Sequence, residues 1–291
     1  GVELCFANPG TSEMHFVAAL DQSVGMRCVL GLQENVVTGM ADGYYRETGK
    51  MGVVCSTTGP GATNLLTGVA SAAADEVPML VITAQTPLPK FGKRALQESS
   101  CTAIDTVGIF RYVTQFNTLV SHHEQLESKL VSAIMAAHRV PNGPVHISIP
   151  ADILRAPATI NAHIHSDLLV HDFAMSDETA IVRLCEKMSR VDNIVMYIGN
   201  GAGKASKQIM EFINLTGASF VTGPMGKSWV DEKHPQYRGV YDFAGHESAN
   251  SLLQDDEVDL ILAVGAALGT RHQRLERRTA QYQTGAYRLF Y

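Results

Sequence analysis

Cysteine is scarce: the 291 residues hold five, Cys5, Cys28, Cys55, Cys101 and Cys185. Their number is odd, their spacing is wide and no CxxC pair occurs, which excludes a disulfide framework and a cysteine zinc site. They read as reduced, mostly buried thiols, and the expected compartment is the cytoplasm. Charge is modest, at 18% of residues, with a net value of −6. That balance argues against a nucleic-acid or anionic-membrane partner. Long apolar runs are missing too. The longest uncharged one, Leu260 to Gly269, falls far short of the ~20 residues that span a bilayer. No signal-peptide pattern opens the chain. It begins at Gly1 without Met and runs almost at once into an apolar strand, so a preceding segment is expected.

What is present is a globular composition, 45% hydrophobic, long enough for two domains that each bury a core. Short apolar runs alternate with helical periodicity. Val2–Ala7 reads as a strand, broken by Asn8-Pro9-Gly10-Thr11, with Thr11 or Ser12 placed to cap the next helix. Strands are expected at Cys28–Leu32, Gly52–Ser56, Met79–Thr83 and Val145–Ile149. Helices are expected at Glu34–Arg46, with Val36, Val37, Met40 and Ala41 on one face, at Ala62–Ala74 and at Glu124–Ala137. Strands apolar on both faces, alternating with helices, predict an α/β fold: a parallel sheet with helices on both faces. Residues 158–175 read as a linker. A second, Rossmann-like α/β unit follows over 176–291. It has a helix at Ser176–Ser189, a strand at Ile194–Ile198, a turn at Gly199–Gly203, a helix at Lys204–Leu215, and strands at Ala218–Thr222 and Leu260–Val264.

Three places invite chemistry. Gly199-Asn200-Gly201-Ala202-Gly203 sits between strand and helix, where backbone N–H groups cradle phosphates. Its spacing is not G-x-G-x-x-G and no acidic residue follows at the ribose position, so a tight turn is the better reading. Thr58-Gly59-Pro60-Gly61-Ala62-Thr63-Asn64 opens a helix without the Lys of a P-loop. It lets backbone approach a flat ligand or a neighbouring chain. Glu34 stands where a strand gives way to a helix, a position that also suits an ordinary dipole-capping charge. His163, His165 and His171 lack ligand spacing and read as solvated linker residues. No metal site is expected within this chain.

Together these stretches resemble the thiamine-diphosphate-dependent enzymes of the acetolactate synthase type. The match is carried by Asn8-Pro9-Gly10, Glu34 with Ala41-Asp42-Gly43-Tyr44-Tyr45-Arg46, Gly59-Pro60-Gly61-Ala62-Thr63-Asn64, and Gln97-Glu98 with Asp105-Thr106-Val107-Gly108-Ile109. Gly143-Pro144-Val145 through Ile149-Pro150 resembles the close of the pyrimidine-binding domain, here residues 1–157. Met225-Gly226-Lys227 with His234-Pro235 resembles the central domain. The resemblance implies that Glu34 hydrogen-bonds the pyrimidine ring nitrogen and shares its proton. It places Pro9, Gly10, Thr11, Gly59, Pro60, Gly61 and Asn64 around that ring, and Gln97 on the substrate side. It further implies a 2-keto-acid substrate, decarboxylative condensation as in branched-chain amino-acid biosynthesis, and a homodimer or homotetramer with the cofactor between subunits.

The departures carry information. Thr11 replaces the second glycine of acetolactate synthases and resembles the benzoylformate decarboxylase and benzaldehyde lyase branch. Leu96 stands where a phenylalanine precedes Gln97, and extra residues around Ser99–Ala103 precede Asp105. The arginine that would contact FAD falls at Pro141, with Arg139 out of register, so FAD lacks its partner. Mg²⁺ would be held by an Asp-Gly-Asp run of a third domain. Asp255-Asp256 lacks the glycine and lies in the central domain, so the third domain reads as missing and the 291 residues as a fragment, expected to turn nothing over alone; the central domain, 176–291, likewise reads as incomplete. A catalytically silent, dimerising α/β protein is the remaining alternative. Arg271 to Arg278 reads as a basic helix unrelated to the family.

Overall fold

The computed structural model describes residues 2–157, 177–242, 244–266 and 288–289. The chain divides into two units, Gly1–Asp172 and Phe173–Tyr291. The linker at 158–175, its histidines and the basic stretch 271–278 lie outside the described residues.

In the first unit six strands form one parallel sheet: β1 (Leu4–Asn8), β2 (Arg27–Leu30), β3 (Gly52–Ser56), β4 (Met79–Gln85), β5 (Phe116–Leu119) and β6 (Pro144–Pro150), in the order β2-β1-β3-β4-β6-β5. The period-2 alternation of strand side chains sends neighbours to opposite faces. Cys5, Ala7, Val53, Cys55, Leu80 and Ile82 pack on one face under α1 (Met14–Asp21) and, further along the sheet, α5 (Leu126–Ala137). Phe6, Val54 and Val81 pack on the other under α2 (Glu34–Thr48), α3 (Pro60–Ala74) and α4 (Thr106–Phe110). Burial on both faces is why β3, β4 and β6 are largely apolar, with every residue of the three buried. A short helix, α6 (Ala151–Leu154), follows β6.

Helix α2 meets α3 at very short range. A Cβ on Gly68 would lie 1.7 Å from Thr38 Oγ1, so the small residues of α3 serve close helix packing. The buried stripe of α2 is Val37, Thr38 and Ala41; Val36, expected on that face, is instead 49% exposed. Gly49 closes α2 in the left-handed conformation at φ +70°, the usual role of glycine at a helix C-terminus. Arg46 pairs with Asp42 one turn back and with Asp75 beyond α3, at 2.8 Å. The two ends of the Asp-Gly-Tyr-Tyr-Arg run, Asp42 and Arg46, are thus part of a helix clasp.

Several expectations are corrected. Neither Thr11 nor Ser12 caps α1: Glu13 occupies that position and its side chain turns back to Gly10 N instead. Strand β2 is exposed, since it lies at the sheet edge. Only Cys5 and Cys55 are buried; Cys28, Cys101 and Cys185 are exposed.

The second unit holds β7 (Ile194–Ile198), β8 (Ser219–Thr222), β9 (Tyr237–Val240), β10 (Leu260–Val264) and β11 (Arg288–Leu289), all parallel, in the order β11-β10-β7-β8-β9. Its helices are α7 (Glu178–Met188), α8 (Ser206–Thr216) and α9 (Glu247–Gln254). The glycine stretch after β7 forms a 3-10 helix, Asn200–Ala205.

Candidate functional site

In the first sheet the chain moves outward from β1 to β2 and then returns past β1 to β3. Open parallel sheets bind ligands outside the carboxyl ends of their strands, at such a reversal. The loop after β1 carries Pro9, Gly10 and Thr11. Helix α2, following β2, begins with Glu34. The turn after β3 carries Gly59, Pro60 and Gly61. The segment after β4 carries Gln97. All four stretches therefore converge on one end of one sheet.

Glu34 is half-buried in the first turn of α2. Its Oε2 accepts a bond from Asn64 Nδ2 at 3.1 Å, and its Oε1 lies 3.5 Å from where a Cβ on Gly61 would sit. Such a Cβ would also come within 2.7 Å of Ser56 Oγ and of Thr57 Cγ2, and one on Gly10 within 2.8 Å of Thr57 Oγ1. Glycine at 10 and 61 is thus required for space, and Thr57 joins the two loops. Gly59 begins α3 at φ +66° and faces Gln97, whose Cβ lies 2.9 Å from a Cβ placed there. Gln97 itself is exposed, as are Pro9, Pro60 and Thr11. The structure thus groups Glu34, Asn64, Gly61 and Gly10 through Thr57, and groups Gln97 with Gly59. It gives no bond that draws Thr11 into either group.

Sequence reasoning missed Glu13. It is 1% exposed, one oxygen accepts from Gly10 N at 2.5 Å, and Oε2 has no partner. Ser56 Oγ and Thr57 Oγ1 are likewise buried without partners. The signal available was an acidic residue three positions after a glycine in a strand-to-helix loop. Also missed was Ser99, which accepts from Gly59 N at 2.9 Å. Glu98 accepts from Gly92 N at 2.7 Å, Ser100 Oγ at 2.5 Å and Thr102 Oγ1 at 2.9 Å. The Ser100 bond, then the Gly92 amide, hold its carboxyl down at about 2.

The alternative glycine turn of the second unit spends its donors internally. Gly199 N bonds Val264 O and Gly201 N bonds Gly265 O, each at 2.9 Å, while Trp229 Nε1 bonds Asn200 O at 2.9 Å. It is a tight structural turn.

Comparison with known proteins identifies the family. Residues 1–106 match the thiamine pyrophosphate enzyme N-terminal TPP binding domain, and residues 181–284 match the central domain of the same enzymes. The chain belongs to the thiamine pyrophosphate enzymes, of which it carries the N-terminal and central domains. Among its relatives is a protein of Methanococcus aeolicus named a probable acetolactate synthase large subunit, 30% identical over 93% of this chain and 45% of that one. The acetolactate synthase isozyme 1 large subunit of Escherichia coli is 31% identical over 93% of this chain and 47% of its own length. The chain thus spans about half the length of the curated relatives it matches. A Mycobacterium smegmatis structure described as a thiamin diphosphate-dependent enzyme shares the fold, with a TM-score of 0.76 at 23% identity, over 92% of this chain and 50% of that one.

The residues present fit the pyrimidine half of thiamine diphosphate. A half-buried carboxylate and an amide stand beside a glycine hollow whose buried hydroxyls lack partners. Among the described residues no group of three His, Cys, Asp or Glu side chains is placed to hold a metal ion.

Proposed function

We propose that this chain forms the pyrimidine-binding side of an enzyme that joins or cleaves C–C bonds of 2-keto acids, condensing two of them with loss of carbon dioxide as an acetolactate synthase does. The observation that carries this reading is Glu34 Oε1 beside Gly61, with Oε2 fixed by Asn64. Thiamine diphosphate, when bound, supplies a nucleophilic carbon and an electron sink for decarboxylation. Glu34 holds a proton at the pyrimidine ring nitrogen and sets the orientation of the ring. Asn64 keeps the carboxylate from swinging to solvent. Gly10 and Gly61 let the ring approach the backbone closely, and Gln97 orients the substrate. Mg²⁺ and the diphosphate are held by residues of another domain, and a second copy of the chain completes the site.

Product analysis tests this reading. With pyruvate, the gene product carrying this chain, supplied with thiamine diphosphate and Mg²⁺, yields a five-carbon 2-hydroxy-3-keto acid and one carbon dioxide. Free acetaldehyde as sole product, or turnover of phenylglyoxylate alone, favours the second reading, a decarboxylase or carboligase of the benzoylformate type. Thr11, a hydroxyl residue on the Pro9–Gly10 loop, is the feature that supports it.

A further inference from the structure

Gly59 opens α3 at φ +66° and ψ −123°, and Gln97 sits at φ +56°. Gln97 thus occupies a region that L residues disfavour, and such a conformation persists only where its surroundings over-determine it. Between the two lies Ser99, 1% exposed. Its Oγ accepts from Gly59 N at 2.9 Å and donates to the Gln97 carbonyl at 3.2 Å. Its backbone N–H donates to Gln85 Oε1 at 3.1 Å. Thr58 Oγ1, equally buried, lies 3.0 Å from both the Gln97 carbonyl and Gln85 Oε1. Gln85 Oε1 also accepts from Thr86 N at 2.9 Å. The end of β4, the turn after β3 and the segment bearing Gln97 therefore share one buried network.

We propose that Ser99 is a positioning residue that makes the Gly59–Pro60–Gly61 turn and the Gln97 backbone a single unit. The wall beside Glu34 and the substrate-side amide then shift together or not at all. This rests on the 2-keto-acid reading only for what the unit serves. Without its hydroxyl, the Gly59 N–H is left buried with no acceptor, the expensive way to lose a hydrogen bond.

The test combines hydrogen exchange of the 291-residue chain with kinetics of the gene product that carries it. Ser99→Ala raises exchange at residues 58–62 and 95–98 together, by about tenfold, and leaves residues 34–48 unchanged. Ser99→Thr, which keeps the hydroxyl, returns both segments to the wild-type rate. In the gene product Ser99→Ala raises KM for pyruvate and Kd for thiamine diphosphate in parallel, again by about tenfold, and Ser99→Thr restores both. Faster exchange at 95–98 with 58–62 unmoved overturns the proposal, as does Ser99→Thr failing to restore either segment. Should Ser99→Ala not fold, Thr58→Val is read by the same paired criterion. An enzyme that turns over no 2-keto acid defeats the functional reading, while the exchange comparison still decides the role of Ser99.

Discussion

Two residues at the starts of the helices after β1 and β2, Glu13 and Glu34, show how the neighbouring loops are held. Glu13 was invisible to periodicity because a single acidic residue in a strand-to-helix loop looks like a cap. It instead fixes Gly10 from inside the protein. Glu13→Ala leaves the Gly10 N–H without its acceptor and is expected to lower unfolding free energy by about 2 kcal/mol. Urea denaturation measures this; a loss near zero would show that the loop holds itself. Glu34 was legible for a different reason. By position it suits an ordinary capping charge, and only the resemblance carried by the Ala41–Arg46 and Gly59–Asn64 stretches singled it out. What the order concealed was Asn64 as the partner of Oε2, since 30 positions separate them.

At the scale of elements, the strands buried on both faces were the readable part. β3, β7 and β10 match their expected limits, because unbroken apolar runs between turn residues leave little freedom. β5 and β9 escaped notice, as did α9: each is short and partly polar, and is fixed by its neighbours in the fold. The run Val145–Ile149 hid another feature, His146, fully buried within β6. Its Nδ1–H donates to Asn117 Oδ1 at 2.7 Å and its Nε2 accepts from Thr83 Oγ1 at 2.8 Å, while the ring stacks on Phe110. A neutral imidazole satisfied on both nitrogens can sit in an apolar strand. Helix packing gives a further prediction. Gly68→Ala forces its Cβ against Thr38, whose hydroxyl is tied to Asn35 O at 2.6 Å. Overpacking of about 1–3 kcal/mol outweighs the ~1 kcal/mol gained in helix propensity. Thermal unfolding of Gly68→Ala should show a lowered Tm; a raised one would mean that α2 and α3 separate freely.

For the molecule as a whole, the buried ionisable groups set the response to acid. Burial pushes the His146 imidazole down from 6.5 to about 3. The unfolded chain therefore takes up a proton below pH 6.5 that the folded chain refuses, and stability falls as pH drops from about 6.5 toward 3. Glu98 acts in the same direction: its pKa lies at about 2 rather than 4.5, so its contribution is full above 4.5 and is lost toward 2. His146→Gln should flatten the dependence of unfolding free energy on pH between 6.5 and 3 by close to one proton. An unchanged slope would place that titration elsewhere.

The proposed function depends on Glu34 facing the pyrimidine ring of the cofactor. The direct measurement is proton-to-deuterium exchange at C2 of thiamine diphosphate bound to the gene product carrying this chain, followed by NMR for the native protein and for Glu34→Gln. The account predicts a fall of roughly 10²-fold or more, the usual size of a lost general acid–base group, with the cofactor still bound. Exchange in Glu34→Gln at the native rate would contradict it.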